Sequence, residues 1–290
     1  MSETAPPART LRCGDRVFTV GARPLVVGIV NVTPDSFSDG GRFASVAAAV
    51  EHGLGLIQDG ADVLDIGGES TRPGAAAVSD VEEQARVLPV VEGLARQGVR
   101  CLSIDTRHAT TAARCLDVGA SWINDVSGLT HDPRMPAVAR KAAAVVLMHW
   151  RAPDPNPVQD QARYHDVVEE VYAALSARVA AAVEHGVEPA RIIVDPGIGF
   201  GKTVDDNVAL TRSLRRFSDL GPVLYGPSRK RFLGALAGVE RAEDRDPATL
   251  AAVCFAATRG ADLVRVHDVS GAVQALRVMT ALSRVLPSAP

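Results

Sequence analysis

Arg265 and His267 stand two residues apart at the end of one short apolar run, so on an extended strand their side chains share a face and can grip the same anion. Asn31 ends the first such run and faces them from an adjoining strand. This set suits phosphate or pyrophosphate. The structural alternative is a buried Arg265 paired with Asp262 or Asp268. Asp105, Asn124 and Asp195 stand at or within two residues of the ends of three further runs. Two carboxylates and an amide suit a flat heterocycle that presents several N–H donors and a carbonyl, with Lys230 as the complementary donor. The alternative for Asp105 and Asp195 is that they only cap the helices that follow.

Other chemistries are excluded by spacing. The run from Gly197 to Thr203 ends in Gly-Lys-Thr, but Pro196 stands where the G-x-x-x-x-G-K-[ST] phosphate loop needs its first glycine, and G-x-G-x-x-G is also absent. Ser228, in Gly226-Pro-Ser-Arg-Lys, lacks the second glycine of a nucleophile elbow. There is no H-E-x-x-H, and the seven histidines do not cluster, which argues against catalytic zinc. The four cysteines lie far apart with no Cys-x-x-Cys, as in a reduced, cytoplasmic chain. Thirty-one basic against thirty-four acidic residues leave a net charge of −3, so no nucleic-acid partner is expected and any anion must be held locally. No apolar run is long enough for a membrane span.

These residues must be positioned by repeated elements. Eight short, β-branched, continuous apolar runs recur: 25–30, 63–67, 100–104, 121–126, 144–149, 192–195, 223–226 and 263–267. Continuity rather than alternation is expected of parallel strands buried on both faces. Between them lie helical spacings, such as Val168, Val171, Leu175, Val179 and Val183. Gly60, Gly98, Gly119, Gly186, Gly221 and Gly260 fall where helix-ending glycines belong. Ser79-Asp-Val-Glu82 has the capping-box pattern, and Asp132-Pro133 pairs an N-cap with proline. Eight strand–helix units within 290 residues predict an α/β fold, a (β/α)8 TIM barrel, whose reactive groups gather at the C-terminal strand ends. Residues 1–10 read as a flexible tail and 11–290 as a single barrel domain. Within it, 11–20 reads as a hairpin that plugs the lower mouth.

Taken in order, GIVNVTPDSFSDGG, GADVLDIGGESTRPG, SIDTR, INDVSG, MH, DPGIGFGKT, SRKRFLG and VRVHDV closely resemble the dihydropteroate synthases, folate-pathway members of the pterin-binding barrels. The resemblance runs from about Leu25 to Val269. It implies condensation of 6-hydroxymethyl-7,8-dihydropterin pyrophosphate with 4-aminobenzoate, with magnesium (Mg2+), in a protein that is usually a homodimer. By position, Asp105, Asn124, Asp195 and Lys230 resemble the pterin-holding residues, with Met148 and Phe200 as apolar neighbours. Asn31, Arg265 and His267 resemble the pyrophosphate grip, Asn31 also touching the metal. Thr33, Pro34, Asp35 and Phe37 of one loop, and Ser70, Thr71, Arg72 and Pro73 of another, resemble mobile segments that close over aminobenzoate.

The chain departs from the family pattern after His149, at Trp150–Pro157, and at Pro227 and Arg231. The departures bear on how aminobenzoate's carboxylate, and hence a sulfonamide, is received. Two relatives compete with this reading. A pterin-dependent methyltransferase has no use for a pyrophosphate grip, and a non-catalytic pterin-binding paralogue is expected to lose loop residues that are present here.

Overall fold

Two short strands, β1 (Thr10–Cys13) and β2 (Arg16–Thr19), form an antiparallel hairpin at the start of the computed structural model, which describes residues 9–21, 23–33, 41–69, 77–151 and 164–283. Eight parallel strands follow: β3 (Leu25–Asn31), β4 (Val63–Gly67), β5 (Leu102–Asp105), β6 (Trp122–Asp125), β7 (Ala144–Met148), β8 (Ile192–Asp195), β9 (Leu224–Tyr225) and β10 (Leu263–Val266). Each lies on one of the eight apolar runs. From β3 to β8, chain order is also spatial order; β10 then pairs with β3 and β9 with β10. A single parallel bridge, Val194 to Val223, joins β8 to the residue before β9 and brings the ends of the sheet together. The result is a nearly closed TIM barrel.

Helices α1 (Gly41–Gln58), α2 (Asp80–Arg96), α3 (Ala109–Asp117), α4 (Met135–Ala139), α5 (Val167–Glu184), α6 (Val204–Arg212), α7 (Arg231–Ala237), α8 (Asp246–Thr258) and α9 (Val269–Ser283) fill the crossovers. Among the described residues, α7 is an extra short helix between β9 and α8.

Strand parity sorts the side chains. Val26, Leu64, Ile66, Ile104, Ile123 and Val145 pack outward against the helices. The alternate positions Leu25, Val27, Val63, Trp122, Val146 and Leu263 point inward and meet Leu11, Cys13, Phe18 and Val20 of the hairpin. The hairpin therefore seals the N-terminal mouth, as expected. Hydrogen bonds complete the seal: Trp122 Nε1 donates to the Arg12 carbonyl at 2.6 Å, and Gly14 N to Ser121 Oγ at 3.1 Å.

Five of the six predicted helix-ending glycines, Gly60, Gly98, Gly119, Gly186 and Gly260, have positive φ. Gly221 does not. A Cβ there would sit 2.7 Å from the Ile192 carbonyl oxygen, so this glycine serves the close approach of two backbone segments. Ser79 caps α2, accepting from Glu82 N at 3.2 Å. Asp132 does not begin a helix; it accepts from Arg134 N and from Ala109 N, and α4 starts at Met135.

Candidate active site

The parity that builds the sealed mouth also builds the open one. Two residues beyond Val63 on β4 comes Asp65; two beyond Trp122 on β6 comes Asn124; two beyond Leu263 on β10 comes Arg265. Inward positions thus change from apolar to charged within a single step along the strands. Adjacent strand ends are in register: Asn31 lies beside Gly67, Gly67 beside Asp105, and Asp105 beside Asn124. Gly67 lies against Asp105: a Cβ there would be in ordinary van der Waals contact with it, 3.6 Å from Oδ2.

Arg265 ties the acidic groups together. Its Nε donates to Asp65 Oδ2 at 2.6 Å and its Nη2 to Asp105 Oδ2 at 2.8 Å. Asn124 Nδ2 donates to the same Asp65 oxygen at 2.8 Å, which fixes the amide's orientation and uses one of its two hydrogens. Asp65 is 1 % exposed, and among the described residues its Oδ1 has no hydrogen-bond partner. An orphaned buried carboxylate oxygen carries a desolvation cost.

Across the mouth, Asp195 Oδ1 accepts from Gly197 N at 2.7 Å, which fixes the turn after β8. Lys230 follows Arg229, a non-glycine residue at φ +59° held by an ion pair with Asp246 at 2.7 Å. From there Lys230 Nζ donates to the Ile198 carbonyl and sits 4.5 Å from the centroid of the Phe200 ring. Met148 packs with Val126, Trp150 and Phe200. Gly226 lies between the two cations: a Cβ there would be 3.9 Å from Arg265 Cβ and 4.0 Å from Lys230 Nζ. His267 is held twice by Ser228, whose Oγ lies 2.8 Å from Nδ1 and accepts from His267 N at 3.1 Å.

Burial dominates the electrostatics. It raises the Asp105 carboxyl above the ordinary range against the pull of Arg265, with Asp65 and Glu83 adding to the rise. It raises Asp195 as well, against Lys230 and the Gly197 N–H. Lys230 is pushed down to about 8 by burial, with Asp195 opposing the fall. For Arg265 burial works against the charge, but Asp65 and Asp105 outweigh it and hold the proton more firmly. Poorly solvated carboxylates of this kind gain strongly from any positive charge that develops beside them.

Residues 27–267 match the family model described as "Pterin binding enzyme". The chain belongs to the pterin-binding enzyme family. Within that family its relatives are dihydropteroate synthases. That of Mycobacterium leprae is 47% identical over 263 residues, covering 88% of this chain and 92% of its own. A Xanthomonas albilineans dihydropteroate synthase solved with 4-aminobenzoic acid is 47% identical, with a TM-score of 0.89, over 96% of this chain and 100% of that one. The same protein in complex with 7,8-dihydropteroate gives 45% identity and a TM-score of 0.85 at the same coverage.

For a pterin-binding enzyme, the expected residues fall into three groups. Asp105, Asn124, Asp195, Lys230 and Arg265 stand on neighbouring strand ends of one mouth, with Met148 and Phe200 beside them. Asn31, Thr33 and His267 are on the same rim. Pro34, Asp35, Phe37, Ser70, Thr71, Arg72 and Pro73 lie outside the described residues. Neither structural alternative for the charged groups holds. Arg265 pairs with Asp65 and Asp105, not with Asp262 or Asp268, and the helices after β5 and β8 have His108 and Thr203 at their N-caps.

Sequence reasoning overlooked Asp65, which lies inside an apolar run rather than at its end. A charged residue at an inward parity position was the available signal. It also missed the pairing of Ser228 with His267 and the capping box of Thr203 with Asp206.

Proposed function

We propose that this chain condenses 6-hydroxymethyl-7,8-dihydropterin pyrophosphate with 4-aminobenzoate, releasing pyrophosphate and forming 7,8-dihydropteroate. The observation that carries the reading is the inward charged layer of Asp65, Asp105, Asn124, Asp195, Lys230 and Arg265, in a barrel whose relatives are dihydropteroate synthases. Asp105 and Asp195 accept from the ring's N–H groups, while Lys230 and the Asn124 amide complete its edge. Met148 and Phe200 supply apolar contact.

Aminobenzoate's nitrogen is unprotonated at neutral pH, so the reaction needs no strong general base. The demanding step is loss of the leaving group. Arg265 and His267 neutralise the charge that pyrophosphate gains as the exocyclic C–O bond lengthens, and Asp105 and Asp195 stabilise the cation that spreads into the ring. Substitution is therefore SN1-like: the carbon–oxygen bond loosens ahead of attack, the amine closes a new C–N bond, and its proton leaves to water.

A hard divalent cation suits the donor set, since the Asn31 carbonyl oxygen beside a diphosphate is a fitting ligand for magnesium, which keeps several waters and few protein ligands. When bound, magnesium supplies further charge neutralisation on the leaving group. Thr33, Pro34, Asp35, Phe37 and Ser70–Pro73 are assigned to the aminobenzoate side. The apolar residues Leu236, Phe255, Val278 and Leu282, exposed on α7–α9, support a homodimer. Among the described residues no helix is long and apolar enough to cross a membrane, and Cys13, Cys101, Cys115 and Cys254 are free thiols, which supports a cytoplasmic location.

The test is incubation of purified protein with both substrates and Mg2+. Formation of dihydropteroate is expected. Pterin binding without turnover would instead favour the non-catalytic paralogue.

A further inference from the structure

The run from Gly197 to Thr203 fails as a nucleotide loop, yet its lysine is closely held at the molecule's open mouth. Lys202 Nζ donates to the Gly197 carbonyl at 2.9 Å and the Phe200 carbonyl at 3.1 Å, and lies 3.2 Å from His149 Nδ1. An ammonium has three hydrogens, and here each has an acceptor. Burial, with Lys202 and Arg178 adding to it, pushes His149 down to about 2, so its ring is neutral and Nδ1 is free to accept.

The two carbonyls bracket a four-residue turn, closed by Phe200 N donating to Gly197 O at 3.2 Å. Three parts of the turn meet Lys230. The Ile198 carbonyl accepts its ammonium, the Phe200 ring lies 4.5 Å from it, and a Cβ on Gly199 would come within 2.7 Å of its Cδ. Asn207 secures the far side, its Oδ1 accepting from Gly199 N at 2.6 Å. A glycine at φ +70° at position 197 lets the turn press against the His149 backbone.

We infer that Lys202 is a positioning residue for the reaction: by holding the Gly197 and Phe200 carbonyls it sets the Ile198 carbonyl and the Phe200 ring against Lys230, and so fixes where Lys230 meets the pterin. Lys202 itself makes no substrate contact in this assignment. Its removal leaves the Phe200 carbonyl and His149 Nδ1 without their donor, and the turn under Lys230 loosens. The inference rests on the pterin assignment above. Its signature is selectivity, because among the described residues the turn meets Lys230, which the assignment places against the pterin.

The experiment compares full-length wild type, Lys202→Met and Lys202→Gln, measuring KM for each substrate and the thermal midpoint of each protein. For Lys202→Met, KM for the pterin substrate is expected to rise about tenfold, the scale of a lost charged hydrogen bond, with KM for aminobenzoate within about twofold of wild type. Lys202→Gln retains two donor hydrogens and should fall between; it carries the test if the methionine variant unfolds at the assay temperature. Unshifted pterin KM, or a proportionate rise for both substrates, overturns the inference. Wild type separates the two claims: no dihydropteroate from wild type ends the reaction assigned above and this inference with it, whereas turnover with unshifted variants ends only the role of Lys202.

Discussion

The two mouths of the barrel are built from the same strands with the same parity, and differ by one inward step. At the N-terminal mouth, Val63, Trp122 and Leu263 meet Leu11, Phe18 and Val20 in an apolar seal. At the C-terminal mouth, the next inward residues are Asp65, Asn124 and Arg265, tied together at 2.6–2.8 Å. The first arrangement stabilises by removing apolar surface from water. The second is costly to bury and is retained for its charge pattern: Asp65 is partnered through Oδ2, while among the described residues its Oδ1 has no partner. Stability and chemistry are thus separated along the barrel axis by roughly two residues of extended chain, about 7 Å.

That separation can be broken by substitution at either end. Trp122→Ala removes a large, fully buried side chain and its hydrogen bond to Arg12, and should cost about 3–5 kcal/mol of unfolding free energy by denaturant titration. At permissive temperature its kcat/KM should stay near wild type. Arg265→Ala should do the reverse, lowering turnover by about 10²–10³, the scale for removing a donor aimed at developing negative charge, in a protein that remains folded by circular dichroism. A variant that turns over normally would remove Arg265 from the leaving group.

Opposite pH trends sharpen the same contrast. Burial lowers Lys230 to about 8 and Lys202 to about 7, both below the ordinary lysine value of 10.5. The unfolded chain therefore holds these protons more tightly. Their contribution to stability is unfavourable at neutral pH and improves as pH rises from about 7 towards 10.5. Over the same range kcat/KM for the pterin substrate should decline, with a midpoint near 8 as Lys230 loses its charge. Parallel measurements of the two quantities check this; an alkaline rise in kcat/KM would contradict the role of Lys230.

The smallest effect is expected at the hairpin turn. Gly14 sits at φ +59°, and a Cβ there would press into the Arg100 carbonyl, so Gly14→Ala should destabilise by about 1–3 kcal/mol without altering either KM.

Much of this division was legible in the sequence, and the gaps have physical causes. All eight strands could be placed because buried parallel strands are continuous apolar runs, and Asp105, Asn124 and Asp195 stood out because each stands at or within two residues of the end of one. Asp65 did not, since continuity hides parity: nothing in Val-Leu-Asp-Ile-Gly says which face points inward until a neighbouring strand fixes it. Gly221 read as a helix stop because the close approach of the Ile192 carbonyl is a long-range fact. Lys202 was set aside for lacking a phosphate-loop glycine, although its partner His149 comes from another strand altogether. Local signals located the elements; contacts between distant segments decided the roles.

The most direct test is a crystal structure of the protein with the pterin pyrophosphate substrate bound in the absence of aminobenzoate. The ring is expected at the C-terminal strand ends, donating to Asp105 and Asp195, with its diphosphate beside Asn31, Arg265 and His267. A ring bound elsewhere, with Arg265 still closed on Asp65 and Asp105 and no ligand contact to either carboxylate, would contradict the account.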